Sequence, residues 1–584
     1  MKELRVSDSS DFNEFLLIDS FYPSPNECQE LNREIFNTIF SKDINFYTLE
    51  GLFDTTINRY FLTDIKLMEH PLIIKNIISH CVSNNIKKVH FLIHPSNAIL
   101  AEFYTKAFNE HEIKSNISFH NSLTFWKNSL TKTNKVVVKK LKTAGAIAVQ
   151  FAMLLFNRIF GKTPEFKNKP LLLWNSFANN REKIDYPFLD GMYDKGKLNV
   201  VHPNPYLFGK GNKWNKSIYR MGAYSISPWI FLKVCLGMIF FRKKFNKVIK
   251  AYKPQLKYIP EQWNADVLQK TFYFLVYNLL SGGLIENIVR DKKVKLINVF
   301  RGGAAAGLIY SGVCKRRYNS ENVISMLAPH GTEFNPIDHF SYFFLDYNLL
   351  PSKKIKDNWD YILQKDYARE LKHNMCKNVS AGRIDYAYLL AHVNDSLHKE
   401  NNDDIIRIGI VLTYNSDSYQ QQYILDIISA FAIAMPGCKF NFIVKPRPNL
   451  PFTPGGTLKN NPDLVIDKSD IFSFLNNIDI VIGAVSVYGV LTMVVTDAIL
   501  CNIPALYFFP GKNIQIHDLG YSYHSSMNEY CFFNKEQLIN VLSGNNNVAE
   551  LAATIKRANA LTKEMLVFEQ NAFDYLEEFI ENKS

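Results

Sequence analysis

Cationic, hydroxyl and small residues recur just after short apolar runs in the last third of this chain. Phe442–Val444 leads into Lys445-Pro446-Arg447-Pro448, Ile478–Ile482 into Gly483-Ala484-Val485-Ser486, and Ala505–Phe508 into Pro510-Gly511-Lys512. Lys445 and Arg447 can neutralise phosphate charge, and Ser486 and Thr492 can donate hydrogen bonds to it. That chemistry suits a phosphate-bearing ligand such as a nucleotide. A second group lies upstream, where Lys295–Phe300 runs into Arg301-Gly302-Gly303 and Val323–Leu327 into Ala328-Pro329-His330-Gly331-Thr332-Glu333. Gly302 and Gly303 permit close backbone approach by a ligand; close helix–sheet packing explains them equally well, and the G-x-G-x-x-G spacing is absent. His330 and Glu333, three residues apart on a loop after a strand, can act as a general-base pair or as phosphate contacts. Asp185 and Asp190, in the polar loop after Lys169–Trp174, are reserve carboxylates.

The runs that carry these residues have strand length and alternate with helix-like segments. Such alternation predicts α/β architecture, a parallel sheet with helices on both faces. In such sheets ligands bind beyond the carboxyl ends of the strands, where these residues fall. Residues 1–130 read as a small α/β unit, with strands at Glu14–Asp19 and Val89–His94 and helices at Leu67–Asn84 and Ala98–Asn109. Residues 131–168 form a basic, apolar linker, 169–375 one Rossmann-like domain and 376–547 a second. Residues 548–584 read as a C-terminal helix that packs back across the domains. Arg407–Thr413 opens the last sheet, and Pro436-Gly437 stops the helix Gln421–Met435 that follows it.

At 584 residues the chain exceeds one core, and 47% hydrophobic with 21% charged residues describes a globular protein. The formal charge of +12 fits simple solubility, an anionic membrane surface or anionic substrates. Nucleic acid fits poorly, because zinc-finger spacing, ribonucleoprotein aromatics and an arginine-rich arm are missing. The eight cysteines are scattered without a C-x-x-C pair, which argues against a zinc site and a disulfide scaffold and for free thiols in a reducing cytosol. The opening residues MKELRVSDSSDFNEF do not read as a secretory signal. Two apolar segments, Ala144–Phe156 and Pro228–Phe241, are flanked by clustered lysines and arginines. Both fall short of the ~20 residues that span a bilayer. They suit helices lying in a membrane interface, or buried core helices with solvated basic ends.

The order of the pieces from about Lys169 onward resembles glycosyltransferases of the GT-B fold. More narrowly it is similar to the bacterial surface-polysaccharide group of polysialyltransferases, capsule Kdo transferases and CDP-glycerol glycerophosphotransferases. Pro329-His330-Gly331-Thr332 resembles the His-Gly-Thr loop of the glycerophosphotransferases. Ala381-Gly382-Arg383-Ile384-Asp385 resembles the Gly-x-Pro-Arg-x-Asp strand that begins the second domain, without its Pro. Lys445-Pro446-Arg447-Pro448 resembles the Lys-Pro-His-Pro motif of sialyl- and Kdo transferases, with Arg447 in place of the His. Thr492 to Ala498, then Pro504, resembles the Ser-Thr-x-x-x-Glu-Ala…Pro element, with Asp497 in place of the Glu.

The resemblance implies two Rossmann-like domains facing across a cleft (GT-B-like), with an additional N-terminal α/β unit. It implies a metal-independent glycosyltransferase that uses no cofactor. The substrates would be a nucleotide-sugar donor, a CMP-linked acidic sugar by preference, and a glycan or lipid-linked acceptor of capsule or lipopolysaccharide synthesis. Lys445, Arg447, Ser486, Thr492, Asp497, Arg301 and Gly302 would hold the donor. An arginine cannot shuttle protons, so the base falls to His330 or Glu333, with Asp185 and Asp190 behind them. The expected place is the cytoplasm, peripheral on the inner face of the cell membrane. A CDP-glycerol-type polyol-phosphate transferase, an epimerase of the UDP-N-acetylglucosamine type and a non-catalytic scaffold of a polysaccharide assembly complex are the competing readings.

Overall fold

The computed structural model describes residues 3–7, 16–17, 21, 65–93, 104–119 without 106, isolated positions between 145 and 159, 170–176, 188–192, 199–203, 218–221, 232, 236, 295–301, 322–328, 346–365, 377–383, 386–393, 405–413, 417–447, 452–484, 491–510, and 524–583 without 546 and 569. Among these the strands form three sheets, and every strand pair is parallel.

The first sheet contains β1 (Glu3–Ser7), β2 (Leu16–Leu17), β3 (Lys88–Ile93) and β4 (Lys114–Phe119), in the order β2-β1-β3-β4. Between β2 and β3 runs α1 (Ile65–Ser83). Its residues Ile73, Ile77 and Cys81 recur every four positions and are fully buried, the stripe expected of a helix laid on a sheet. Burial pushes the Cys81 thiol up to about 11. Phe91 packs between Tyr104 and Phe108, with ring centroids 4.9 and 5.5 Å away. Of the strand expected at Glu14–Asp19, Leu16–Leu17 is a strand and the other residues lie outside the described ones. β1 and β4 carry no apolar run, and pairing with neighbours makes them strands.

The second sheet contains β5 (Leu171–Ser176), β6 (Asn199–Pro203), β7 (Ile218–Met221), β8 (Leu296–Arg301), β9 (Val323–Ala328), β10 (Tyr347–Leu350) and β11 (Lys377–Ser380). Its order is β11-β10-β9-β8-β5-β6-β7. The chain builds outward from β5 in one direction, then returns to β5 and builds in the other, so the switch point lies between β5 and β8. Helix α2 (Lys353–Lys365) joins β10 to β11.

The position of β11 corrects the expected domain boundary at 376. Lys377–Ser380 pairs with Tyr347–Leu350 and closes the second sheet instead of opening the third. A chain of polar contacts ties β11 to this neighbour. Asn348 Nδ2 donates to Asn378 Oδ1 (3.0 Å), Asn378 Nδ2 to Asp360 Oδ1 (2.7 Å), and Lys356 Nζ to Asp360 Oδ2 (2.7 Å). Hydrogen bonds and opposite charge at Asp360 raise the Lys356 pKa. The chain passes from one compact unit to the other after Asp385.

The third sheet follows α3 (Tyr386–His392). In chain order come β12 (Ile405–Val411), α4 (Asp417–Ala434), β13 (Lys439–Lys445), β14 (Leu464–Ile466), α5 (Ile471–Leu475), β15 (Ile480–Gly483), α6 (Met493–Leu500), β16 (Ala505–Phe508) and β17 (Cys531–Phe532). Helices α7 (Lys535–Ser543), α8 (Val548–Leu566) and α9 (Ala572–Lys583) follow in sequence. The strand order β14-β13-β12-β15-β16-β17 puts the switch point between β12 and β15. β15 and β16 are buried at all four positions, as strands covered on both faces must be. At the opposite end, Arg407 Nε and Nη2 grip both oxygens of Asp479 at 3.3 and 3.2 Å, fixing β12 against the entry to β15.

The single C-terminal helix expected over 548–584 is two helices in different units. α8 starts at Asn547, whose side chain accepts from the Glu550 N–H (2.9 Å), and it packs on the third sheet. Asn559 accepts from the Ala505 N–H (3.1 Å) and donates to its carbonyl (2.8 Å). It stands in for a strand neighbour that β17 is too short to supply. Replacing Asn559 with leucine leaves a buried donor and acceptor unpaired, at a cost of about 2–3 kcal/mol. Faster exchange of the Ala505 amide, with a lower urea midpoint, is the expected reading. α9 belongs with the second sheet: Phe573 stacks on Phe188 at 4.3 Å, and Phe579 meets Tyr347 edge-on at 5.1 Å.

Candidate functional site

Register aligns the carboxyl ends of the third sheet. Lys445 and Gly483 both pair with Val411, and Gly483 pairs with Tyr507, so four adjacent strands end level. Just beyond that line, the Leu412 N–H donates to the Lys445 carbonyl and the Ala484 N–H to the Val411 carbonyl. Residues following these strands therefore leave the sheet from one edge at its switch point. Arg447 is half-buried two residues past β13, and Thr413 is buried two residues past β12. The Thr413 carbonyl accepts from Gln420 Nε2 (3.1 Å), and the Tyr419 hydroxyl donates to the Pro510 carbonyl (3.2 Å). These bonds hold the start of α4 to the ends of β12 and β16. One turn on, burial raises the Tyr423 phenol well above its ordinary pKa.

Helix α6 starts against the same edge. Thr492 is its N-cap residue, and the Thr492 side chain makes no capping hydrogen bond. The Thr492 carbonyl accepts from the Tyr507 hydroxyl (2.9 Å), which ties the helix start to β16. Gly483 lets the helix come this close: a Cβ there would lie 2.3 Å from Val495 Cγ2 and 2.6 Å from Thr492 Cγ2. Asp497, in the second turn, is 8% exposed.

Lys445 is drawn sideways into the turn after β14. Its ammonium donates to the Ser469 carbonyl, lies 3.8 Å from Asp467 Oδ2, and sits 5.5 Å over the Phe474 ring. Burial lowers the pKa of Lys445, opposed by the charges of Asp467 and Asp470. That turn is built from its own side chains. Asp467 accepts from the Ser469 N–H (2.6 Å), and Asp470 caps α5 through the Ser473 N–H (2.9 Å). Sequence reasoning passed over Asp467, Ser469 and Asp470, although D-x-S-D just before a helix is a capping signal.

In the second sheet Arg301 pairs with both Ser176 and Ala328, so β5, β8 and β9 also end level beside their switch point. Gly302, Asp185, His330, Glu333 and Ser486 lie outside the described residues, as does the side chain of Arg301. Asp190 is half-buried in a helical turn over 188–192, the turn whose Phe188 stacks on α9. The structure thus brings Arg447, Thr492, Gly483 and Thr413 to one edge and commits Lys445 to a neighbouring turn. Among the described residues, no group of three or more His, Cys, Asp or Glu side chains is placed to hold a metal ion. Cys81, Cys438, Cys501 and Cys531 are free thiols.

The fold is therefore α/β, with two consecutive Rossmann-like domains and an additional N-terminal parallel unit. Both domains have the strand order 3-2-1-4-5-6, the first extended by a seventh strand. No protein-family model and no curated protein sequence matches the chain. Among solved structures it is similar to the wall teichoic acid polymerase TagF, at 12% identity over 77% of this chain and 98% of that one, TM-score 0.39. It is also similar to a mutant O-GlcNAc transferase of Thermobaculum terrenum, at 10% identity over 97% and 96% of the two chains, TM-score 0.34. A third is OtsA, at 9% identity over 71% and 98%, TM-score 0.40.

Proposed function

We propose that this chain is a GT-B-type glycosyltransferase. It would move a sugar from a nucleotide-activated donor, a CMP-linked acidic sugar, to a surface-glycan or lipid-linked acceptor. One observation carries the reading: the start of α6 lies against Gly483 at the switch point of the third sheet, with Arg447 just beyond the same edge. The donor phosphate sits at the α6 N-terminus, where backbone N–H groups and the Thr492 hydroxyl donate to it. Arg447 supplies the charge that stabilises the departing nucleotide. Lys445, held by Asp467 and Ser469, braces the neighbouring turn and adds positive potential from a distance. Asp497 takes the ribose hydroxyls. The acceptor hydroxyl attacks the anomeric carbon, the bond from that carbon to the phosphate oxygen breaks, and the nucleotide leaves with the electron pair. His330 accepts the hydroxyl proton, with Glu333 beside it and Asp185 or Asp190 as substitutes.

The Pro329-His330-Gly331-Thr332 loop favours a second reading, attack on phosphorus in a CDP-glycerol-type donor. A thermal-shift panel of CMP, CDP, UDP and GDP separates the two. CMP is expected to stabilise the chain, with affinity falling about tenfold or more in Arg447→Ala, the loss of one charge-assisted contact. Stabilisation by CDP alone, with turnover of CDP-glycerol, would establish the polyol-phosphate transferase. No stabilisation by any nucleotide would leave the scaffold reading.

A further inference from the structure

All-parallel sheets are ordinarily covered on both faces, and their strands are then apolar throughout. The first sheet departs from that pattern. Apolar and polar residues alternate along β1 and most of β3, and the parallel register sets like beside like. Leu4, Val6, Val89 and Phe91 fall on one face and are buried. Tyr104 and Phe108 cover that face at Phe91. Right-handed crossovers put α1 there as well, because β2 to β3 and β3 to β4 step across the sheet in the same direction. The opposite face presents Arg5, Lys88, His90, Lys114, Asn116 and Ser118, with Arg5, His90 and Asn116 in one row across three strands.

Charge indicates what meets this face. Its cations Arg5, Lys88 and Lys114 stand against one carboxylate, Glu3, which pairs with Lys88 at 3.2 Å. Arg5, Lys114 and Asn116 are exposed. His90 Nε2 and Ser118 Oγ share a hydrogen bond of 3.0 Å beside them. Same-face neighbours along a strand lie about 6.6 Å apart and adjacent strands about 4.8 Å, so Arg5 and Lys114 stand roughly 12 Å apart. Cations spread over a flat field of amide and hydroxyl groups suit a chain that repeats both negative charge and hydroxyls. Nucleic acid stacks its bases on aromatic rings, and β1, β3 and β4 bring no Phe, Tyr or Trp to the rows described. A bilayer takes up an apolar face, and in those rows Leu92 alone is apolar. A second copy of the chain would set like charges against each other.

We propose that this face of the first sheet binds an acidic glycan, a polysaccharide chain bearing carboxylates, through residues that take no part in the donor site. The ligand class rests on the donor reading, since repeated transfer of an acidic sugar builds such a chain. Arg5 and Lys114 take carboxylates of different sugar units, and Asn116 donates to hydroxyls. The two cations stand farther apart than one sugar ring reaches, so the site reads a chain and not a monomer. The test is calorimetric titration of the full chain with sialic acid oligomers, against free sialic acid, neutral dextran, poly-glutamate and a single-stranded oligonucleotide. Wild type is expected to bind the oligomers, less tightly as salt rises, and to bind free sialic acid and dextran about tenfold or more weakly by comparison. Arg5→Gln/Lys114→Gln is expected to lose about tenfold or more in affinity for the oligomers. Both side chains are exposed, so its melting temperature should stay near the wild-type value. Lys114→Glu is a second variant that leaves β1 intact and should weaken oligomer binding on its own. Three results would overturn the proposal: wild type that ignores the oligomers, variants that bind them as wild type does, or equal affinity for poly-glutamate or the oligonucleotide. CMP melting shifts of both variants should match wild type. Wild type that binds CMP but no oligomer refutes this proposal alone, and wild type that binds oligomers but no nucleotide refutes the donor reading alone.

Discussion

Alanine at Gly382 is expected to release the C-terminal helix α9 from the second sheet. Gly382 has a φ of +77°, a conformation that side chains disfavour, and its missing Cβ would lie 2.3 Å from the Gln570 carbonyl oxygen and 3.2 Å from the Ala572 nitrogen. Both neighbours are backbone, so no rotamer change relieves the overlap. Left-handed strain and overpacking together cost about 3–5 kcal/mol. The effect should concentrate on the unit that holds Gly382 and α9. Limited proteolysis should cut first near the α8–α9 junction in Gly382→Ala and not in wild type, and thermal unfolding should split into two steps. Cleavage and melting unchanged from wild type would show that the contact does not hold α9.

Gly483→Ala is expected to disturb the edge where the donor phosphate is proposed to bind. The new methyl group would overlap Val495, β-branched within the helix and held to one rotamer, and Thr492, the β-branched N-cap residue beside it. The start of α6 must back off from β15, which strains the hydrogen bond from the Tyr507 hydroxyl to the Thr492 carbonyl. Overpacking of this kind costs about 1–3 kcal/mol. A shift of a few tenths of an ångström at the α6 N-terminus should weaken nucleotide binding more than it weakens the fold. Calorimetric titration with CMP reads the first quantity and urea denaturation the second. Unchanged affinity with reduced stability would put the phosphate elsewhere.

What was readable in the residues follows from burial. β8, β9, β12, β15 and β16 are apolar runs because both faces of their sheets are covered, and the expected strands fall within two residues of the observed ones at all five. The edges were not readable. β14 and β17 are apolar but only three and two residues long, β7 and β11 are four residues of mixed polarity, and only a neighbour makes any of them strands. The polar chain from Asn348 through Asn378 to Asp360 shows why β11 misled: its partner lies one strand upstream, and nothing in KNVS marks that direction. At the site, cationic residues after β13 were visible, but their division of labour was not. Lys445 and Arg447 look equivalent in the sequence. The capped turn Asp467–Asp470 claims the lysine, and that turn comes from residues more than twenty positions downstream.

The return of α9 to the second sheet has a consequence for how the protein is made. Synthesis finishes β11 long before α9 appears; roughly 190 residues intervene, on the order of 10–40 s at usual elongation rates. Throughout that interval Phe188 and Tyr347 lack the rings of Phe573 and Phe579. The second domain must therefore wait, incomplete, while the whole third sheet is synthesised. Docking of α9 becomes a late step in maturation, and a nascent chain stalled before residue 572 should be a client for chaperones that hold apolar surface.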